Sequence, residues 1–185
     1  MKKNKFILAI ILIFSQFLLS TFSFGDVLKI GNENARITVK VFSSLTCPHC
    51  ASFHENIFED LKKEYIDKNK VKFEHHAFPL DLAALNAEKI VRCASNPDAK
   101  FQLLTKIYKK QKKWAVGSDI SKINELLIKI GSDSNINENK LKNCLENEKT
   151  QELILNERIR AQKEYNIRST PTIYINDKKY EDKHE

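Results

Sequence analysis

Cys47-Pro48-His49-Cys50 stands between two runs of opposite periodicity. Upstream, Ile37-Thr38-Val39-Lys40-Val41-Phe42 has β-branched residues in near alternation, the pattern of a half-buried strand. Downstream, residues 52–70 carry Phe53, Ile57, Phe58, Leu61, Tyr65 and Ile66 at helical spacing, the pattern of an amphipathic helix. Residues 71–78 return to strand character, with Val71, Phe73, His75 and Ala77 on one face. The two cysteines therefore sit at the strand-to-helix junction of a βαβ unit, and the fold class is α/β.

A CxxC at that junction makes sense as a redox centre, because only the thiolate attacks a disulfide. The unpaired N–H groups and dipole of a helix mouth stabilise that anion. Cys47 is the candidate nucleophile and Cys50, one turn further in, the resolving thiol. Pro48 restricts the turn that holds the sulfurs close. His49 can supply positive charge or a hydrogen bond to the Cys47 sulfur. Stabilising the reduced state makes the disulfide a stronger oxidant.

Two plainer readings stand beside this one. The CxxC could be a structural disulfide. It could also be half of a zinc site, which needs a second ligand pair. His75-His76 is the nearest candidate, but adjacent strand residues point to opposite faces, so no more than one could join the cysteines. No metal and no cofactor are expected.

The remainder is mostly helical. Residues 82–165, punctuated by Asn96-Pro97, Gly117-Ser118 and Gly131-Ser132, read as five helices over 82–95, 98–115, 118–130, 137–146 and 149–165. Asp98 and Ser118 are the candidate starts of the second and third. Strand character resumes at Thr172-Ile173-Tyr174-Ile175, followed by an Asn176-Asp177 turn and a short strand from Lys178 to Tyr180. The helices thus form an insertion inside an α/β unit. Phe42, Phe53 and Phe58 are core candidates, Trp114 a packing anchor, and His54 an ordinary, partly exposed helix residue. Lys109, Lys110, Lys112 and Lys113 read as a solvated face.

At the N-terminus, Lys2, Lys3 and Lys5 precede an apolar run over 6–14 and a Ser/Phe-rich stretch ending in Ser23-Phe24-Gly25. That order is a secretory signal peptide over residues 1–25, cleaved after Gly25. An uncleaved anchor is the rival, since 6–24 is about long enough to span a bilayer. Taking the three leader lysines from the formal net charge of +7 leaves +4, spread as single residues. With no dense basic block, nucleic-acid binding is a poor reading. The chain holds four cysteines, and export to an oxidising compartment permits disulfides. Cys93 and Cys144 are either two buried thiols or a bonded pair. The exported context favours the bond, whose loop of about 50 residues would contribute roughly 4 kcal/mol.

The run Val39-Lys40-Val41-Phe42-Ser43-Ser44-Leu45-Thr46-Cys47-Pro48-His49-Cys50 resembles the active-site strand and motif of DsbA-like thiol:disulfide oxidoreductases. Ser169-Thr170-Pro171-Thr172 is similar to that family's X-cis-Pro loop. The resemblance covers about residues 37–180 and is nearest in character to alphaproteobacterial relatives, some of which carry a second disulfide in the helical domain. It implies a thioredoxin fold with an inserted all-helical domain. Residues 26–81 would be its first part, 82–165 the insertion, and 166–185 the second part, without the family's final helix.

The resemblance further implies that Cys47, Pro48, His49 and Cys50 are catalytic, with Cys47–Cys50 the redox-active disulfide. Thr170 and a cis Pro171 would bind an extended substrate peptide. A proline opening a strand in trans is what the residues alone suggest. The implied activity is donation of disulfides to exported polypeptides with free thiols in the periplasm, with reoxidation by a DsbB-like membrane quinone oxidoreductase. Two departures bear on this. Val41 stands where related proteins carry a buried acid, so the proton on Cys50 must use water or another group. Thr170 stands where the enterobacterial oxidase has Val, which keeps an isomerase or reductase open as an alternative. From other classes, an exported metal-binding or metallochaperone protein and a catalytically idle chaperone-like module also stay open.

Overall fold

The computed structural model describes residues 27–182, so the expected signal peptide lies outside the described residues. A five-stranded sheet has the order β1-β3-β2-β4-β5, built from β1 (Leu28–Gly31), β2 (Ile37–Ser43), β3 (Val71–Ala77), β4 (Thr172–Ile175) and β5 (Lys178–Lys179). β2 is central, pairing parallel with β3 and antiparallel with β4. Its β-branched side chains suit a strand covered on both faces. Strand β1 was not expected from the sequence. Its four residues are too few to show a period, and it gains order as an antiparallel edge on β3. Gly31 closes it at φ +97°, where a Cβ would collide with Val71 O, so only glycine lets the edge approach so closely.

Between β2 and β3 runs helix α1, which opens as Pro48–Phe53 and continues through π-helical His54–Phe58, α-helical Glu59–Leu61 and π-helical Lys62–Ile66. Six helices follow between β3 and β4: α2 (Leu82–Arg92), α3 (Pro97–Lys109), α4 (Gln111–Trp114), α5 (Ile120–Ser132), α6 (Glu138–Glu146) and α7 (Glu148–Glu164). Side chains of Asp81, Asn96, Asp119, Asn137 and Asn147 cap five of them by accepting backbone N–H groups, which satisfies donors that a helix start leaves open. The caps of α3 and α5 are therefore Asn96, two residues before the expected start Asp98, and Asp119, one residue after the expected start Ser118.

The expected helix over 98–115 is broken at Lys110, whose backbone leaves helical geometry at φ −99°, ψ 6°. The cause is tertiary. Gln111 turns inward to donate to two carbonyls of the CxxC loop, and Trp114 Nε1 donates back to Ile107 O at 2.9 Å.

The main core lies on the sheet face that carries Val39, Val41 and Phe73, and it is shared by α1 and the helical insertion through Phe58, Ile90, Leu104, Ile107 and Leu127. A smaller cluster of Phe42, Phe78, Ala161 and Ile167 packs α7 against the other face. There Glu157 accepts from Ala77 N at 2.9 Å and pairs with Arg92 at 2.7 Å. Burial pushes its carboxyl up to about 7 against the pull of Arg92. Among the described residues no helix is long and apolar enough to cross a membrane.

Candidate active site

Strand β2 ends at Ser43, and four residues later Cys47 stands in extended geometry (φ −77°, ψ 120°) as the cap of α1. Pro48 occupies the first helical position, where a missing N–H is harmless. No side chain caps this helix, which leaves its first N–H groups for the Cys47 sulfur. The loop is held from three sides. Cys47 N donates to Ser44 O at 3.1 Å. Gln111 Nε2 donates to Leu45 O at 2.8 Å and Cys47 O at 3.0 Å. Thr46 Oγ1 donates at 2.7 Å to Asp81, the residue that caps α2.

Across from the helix mouth lies the start of β4. The Thr170-Pro171 peptide is cis, and Cys47 Sγ donates to Thr170 O at 3.3 Å. The Thr170 hydroxyl is buried without a nitrogen or oxygen partner, and it helps lower both neighbouring thiols. Cys47, Cys50, Thr170 and Pro171 are thus brought together.

The two thiols, both free, are driven apart in acidity. Cys47 is lowered to about 5, chiefly by the hydrogen bond from the Cys50 thiol. Burial opposes this, and Thr170 and the N–H groups of Cys50 and His49 assist. Cys50, 1% exposed, is pushed far up by burial and then by the Cys47 sulfur beside it. Pro48 and His49 are exposed. The help that His49 gives to Cys47 comes through its backbone N–H. At neutral pH the arrangement holds one thiolate, 7% exposed at the helix mouth, and one protonated thiol beneath it at 1%, as thiol–disulfide exchange requires.

Cys93 and Cys144 lie apart from this centre, joined by a disulfide with a Cα–Cα distance of 5.9 Å between the end of α2 and helix α6. His54 differs from expectation. It is 3% exposed, stacks on Phe58 at 4.3 Å and bonds Thr105 Oγ1 at 2.8 Å. Burial, then His75 and Lys109, drives its imidazole down to about 3, so it stays neutral. The helical pattern concealed this because α3 packs over what reads as the polar side of α1. His75 and His76 do point to opposite faces, the first to Glu88 and the second to Glu74. Among the described residues no group of three or more His, Cys, Asp or Glu is arranged to hold a metal.

Sequence reasoning missed Gln111 and the Thr46–Asp81 pair. Gln111 gave no signal, since its partners lie 66 and 64 residues away. Asp81 could have been found as an Asp preceding an apolar helical run.

The sequence model of the family described as Thioredoxin matches residues 24–185. The chain belongs to the thioredoxin family. Within it the likeness is to DsbA-like proteins. The structure of Wolbachia pipientis alpha-DsbA1 superposes with a TM-score of 0.77 at 28% identity, covering 85% of this chain and 79% of that one. BdbD from Bacillus subtilis gives 0.74 at 26% identity and 84% of both chains. In sequence, the chain is 35% identical over 148 residues to a putative protein-disulfide oxidoreductase of Rickettsia typhi, covering 80% of this chain and 53% of that protein. It is 30% identical over 158 residues to disulfide bond formation protein D of Bacillus subtilis, covering 80% and 67%. The chain spans about half the length of the rickettsial relatives it matches. Its thioredoxin sheet and helical insertion are those of its DsbA-like neighbours.

Proposed function

We propose that the protein is a thiol:disulfide oxidoreductase that donates its Cys47–Cys50 disulfide to exported polypeptides. A substrate thiolate attacks Cys47 Sγ, the enzyme's S–S bond breaks, and the electron pair leaves on Cys50, which is protonated. A second substrate thiolate then attacks the substrate sulfur of the mixed disulfide and expels Cys47 as a thiolate. The substrate is oxidised by two electrons and the dithiol is reduced. The observation that carries this reading is the Cys47 sulfur, lowered to about 5 at the mouth of α1 and faced by Thr170 O. Such a sulfur is a good leaving group at neutral pH.

The setting belongs to the same proposal. The basic-apolar leader directs the chain to the periplasm, and the Cys93–Cys144 bond suits an oxidising compartment. A membrane quinone-linked partner of the DsbB type would restore the disulfide. A cleft of about 460 Å³ at Thr46, the residue before Cys47, is lined by Asp81 and Ser118 as well as Leu82, Ala115 and Ile120, and offers a mixed polar and apolar surface to an unfolded chain. The buried Thr170 hydroxyl against both sulfurs is the observation behind a second reading, an isomerase or reductase of the same fold.

The test is refolding of a reduced, disulfide-dependent secreted enzyme. Oxidised protein should restore its activity, and Cys47→Ala should not. Cys50→Ser, with Cys47 first held as its mixed disulfide with glutathione, should exchange that glutathione for a substrate thiol and accumulate a substrate adduct on Cys47. Refolding by Cys47→Ala at the unmodified rate would refute the proposal.

A further inference from the structure

The parallel pairing of β2 with β3 ends at Ser43 and Ala77, yet hydrogen bonds between the two chain segments continue beyond it. Phe78 N donates to Ser43 O at 2.8 Å, and Leu80 N to Ser44 Oγ at 3.3 Å. The Ser44 and Thr46 hydroxyls meet at 3.2 Å, and Thr46 Oγ1 donates to Asp81 Oδ2 at 2.7 Å. The other oxygen of Asp81 accepts from Ala84 N at 2.7 Å. Side chains thus carry the seam between the strands up to the residue before Cys47.

The direction of this seam is set at its end. An ionised carboxylate only accepts, and a hydroxyl has one proton to give. Thr46 gives its proton to Asp81, so the proton between the two hydroxyls is that of Ser44, whose oxygen accepts from Leu80 N. Hydrogen bonds aligned in series strengthen one another, and a charged last acceptor adds to this. The anchor is firm. Asp81 caps α2, in which Ala84, Ala87, Ile90 and Val91 are all 0% exposed. Ser44, also 0% exposed, accepts from Cys47 N at 3.1 Å through its carbonyl. Gln111 fixes the carbonyls of Leu45 and Cys47 from α4, and Thr46 between them is fixed from α2.

We propose that Thr46 and Asp81 are positioning residues for the exchange reaction: the Thr46 hydroxyl, locked onto the Asp81 carboxylate, holds the turn before Cys47 so that its sulfur stays at the first N–H groups of α1 and opposite Thr170 O. Contacts of this kind weaken steeply as their donors and acceptors lose alignment, so a looser turn stabilises the thiolate less and leaves the disulfide a weaker oxidant. The inference rests on the dithiol chemistry proposed above.

The experiment uses the reduced full chain with Thr46→Val, which keeps the side chain's shape and the charge of Asp81 but removes the hydroxyl. Cys47 is trapped with iodoacetamide across pH. Its midpoint should rise by about one unit, the scale of a single hydrogen bond, so that alkylation at pH 5 slows about fivefold. The equilibrium with glutathione at pH 7 should move about tenfold toward the disulfide. Thr46→Ser, which retains the hydroxyl, should recover the unmodified midpoint. Asp81→Ser leaves an oxygen to cap α2 but removes the second acceptor and the charge. Losing a negative charge would by itself lower the midpoint, so a rise in this variant as well reports position rather than charge. An unshifted midpoint in folded Thr46→Val, with or without a loss of stability, would overturn the inference, as would an equal shift in Thr46→Ser. Failure of the unmodified protein to exchange thiols at all would instead overturn the oxidoreductase reading.

Discussion

At Cys47 the first turn of α1 directs the N–H groups of His49 and Cys50 onto a sulfur that also meets Thr170, while Cys50, one turn inward, is enclosed. The same helix start therefore yields a thiolate and a thiol. Titrating the reduced protein by ultraviolet thiolate absorbance should give one midpoint near 5, absent in Cys47→Ala, with Cys50 silent through neutral pH. A midpoint near that of free cysteine, about 8.5, would contradict the site described. The unfolded chain binds more protons at Cys47 between its folded value near 5 and that of free cysteine, about 8.5. The reduced protein accordingly gains stability as pH rises through that window and loses it as pH falls toward 5. At this scale the sequence was informative wherever spacing along the chain sets the chemistry, as for Cys47 and Cys50, whereas the cis bond at Pro171 followed only from the family resemblance. It was silent on Gln111 and misread His54, because each owes its character to a neighbour from another element.

Among the elements, α4 shows most plainly how tertiary contact overrides local pattern. Residues 98–115 carry an unbroken helical period, yet the helix breaks so that Gln111 can satisfy Leu45 O and Cys47 O. Gln111→Ala leaves Leu45 O unpaired, while Cys47 O keeps Ala51 N at 3.2 Å, at a cost of about 2 kcal/mol. Urea denaturation of the variant should show that loss, together with a raised Cys47 midpoint as the loop loosens. Unchanged stability would mean that the amide is incidental. The five Asp and Asn caps follow ordinary helix-start chemistry and were partly legible. The π-helical turns of α1 and the short edge β1 were not, since neither has a period that so few residues could display.

Over the whole molecule, the site exists because β4 returns across the helical insertion to pair with β2, bringing Thr170 to Cys47 from 123 residues away. The insertion carries its own crosslink. Replacing both Cys93 and Cys144 by Ala frees a loop spanning 51 residues and should cost about 4 kcal/mol in the chain-entropy account, measured by thermal unfolding. Exchange at Cys47 should persist at temperatures where the variant stays folded, and loss of exchange there would show that the two pairs are not separate in role. The central claim is that the Cys47–Cys50 disulfide is an oxidant, and equilibration against glutathione buffers of known ratio tests it most directly. The account predicts a potential well above the roughly −270 mV of thioredoxin. A value near −270 mV, with a Cys47 pKa near 7, would contradict it.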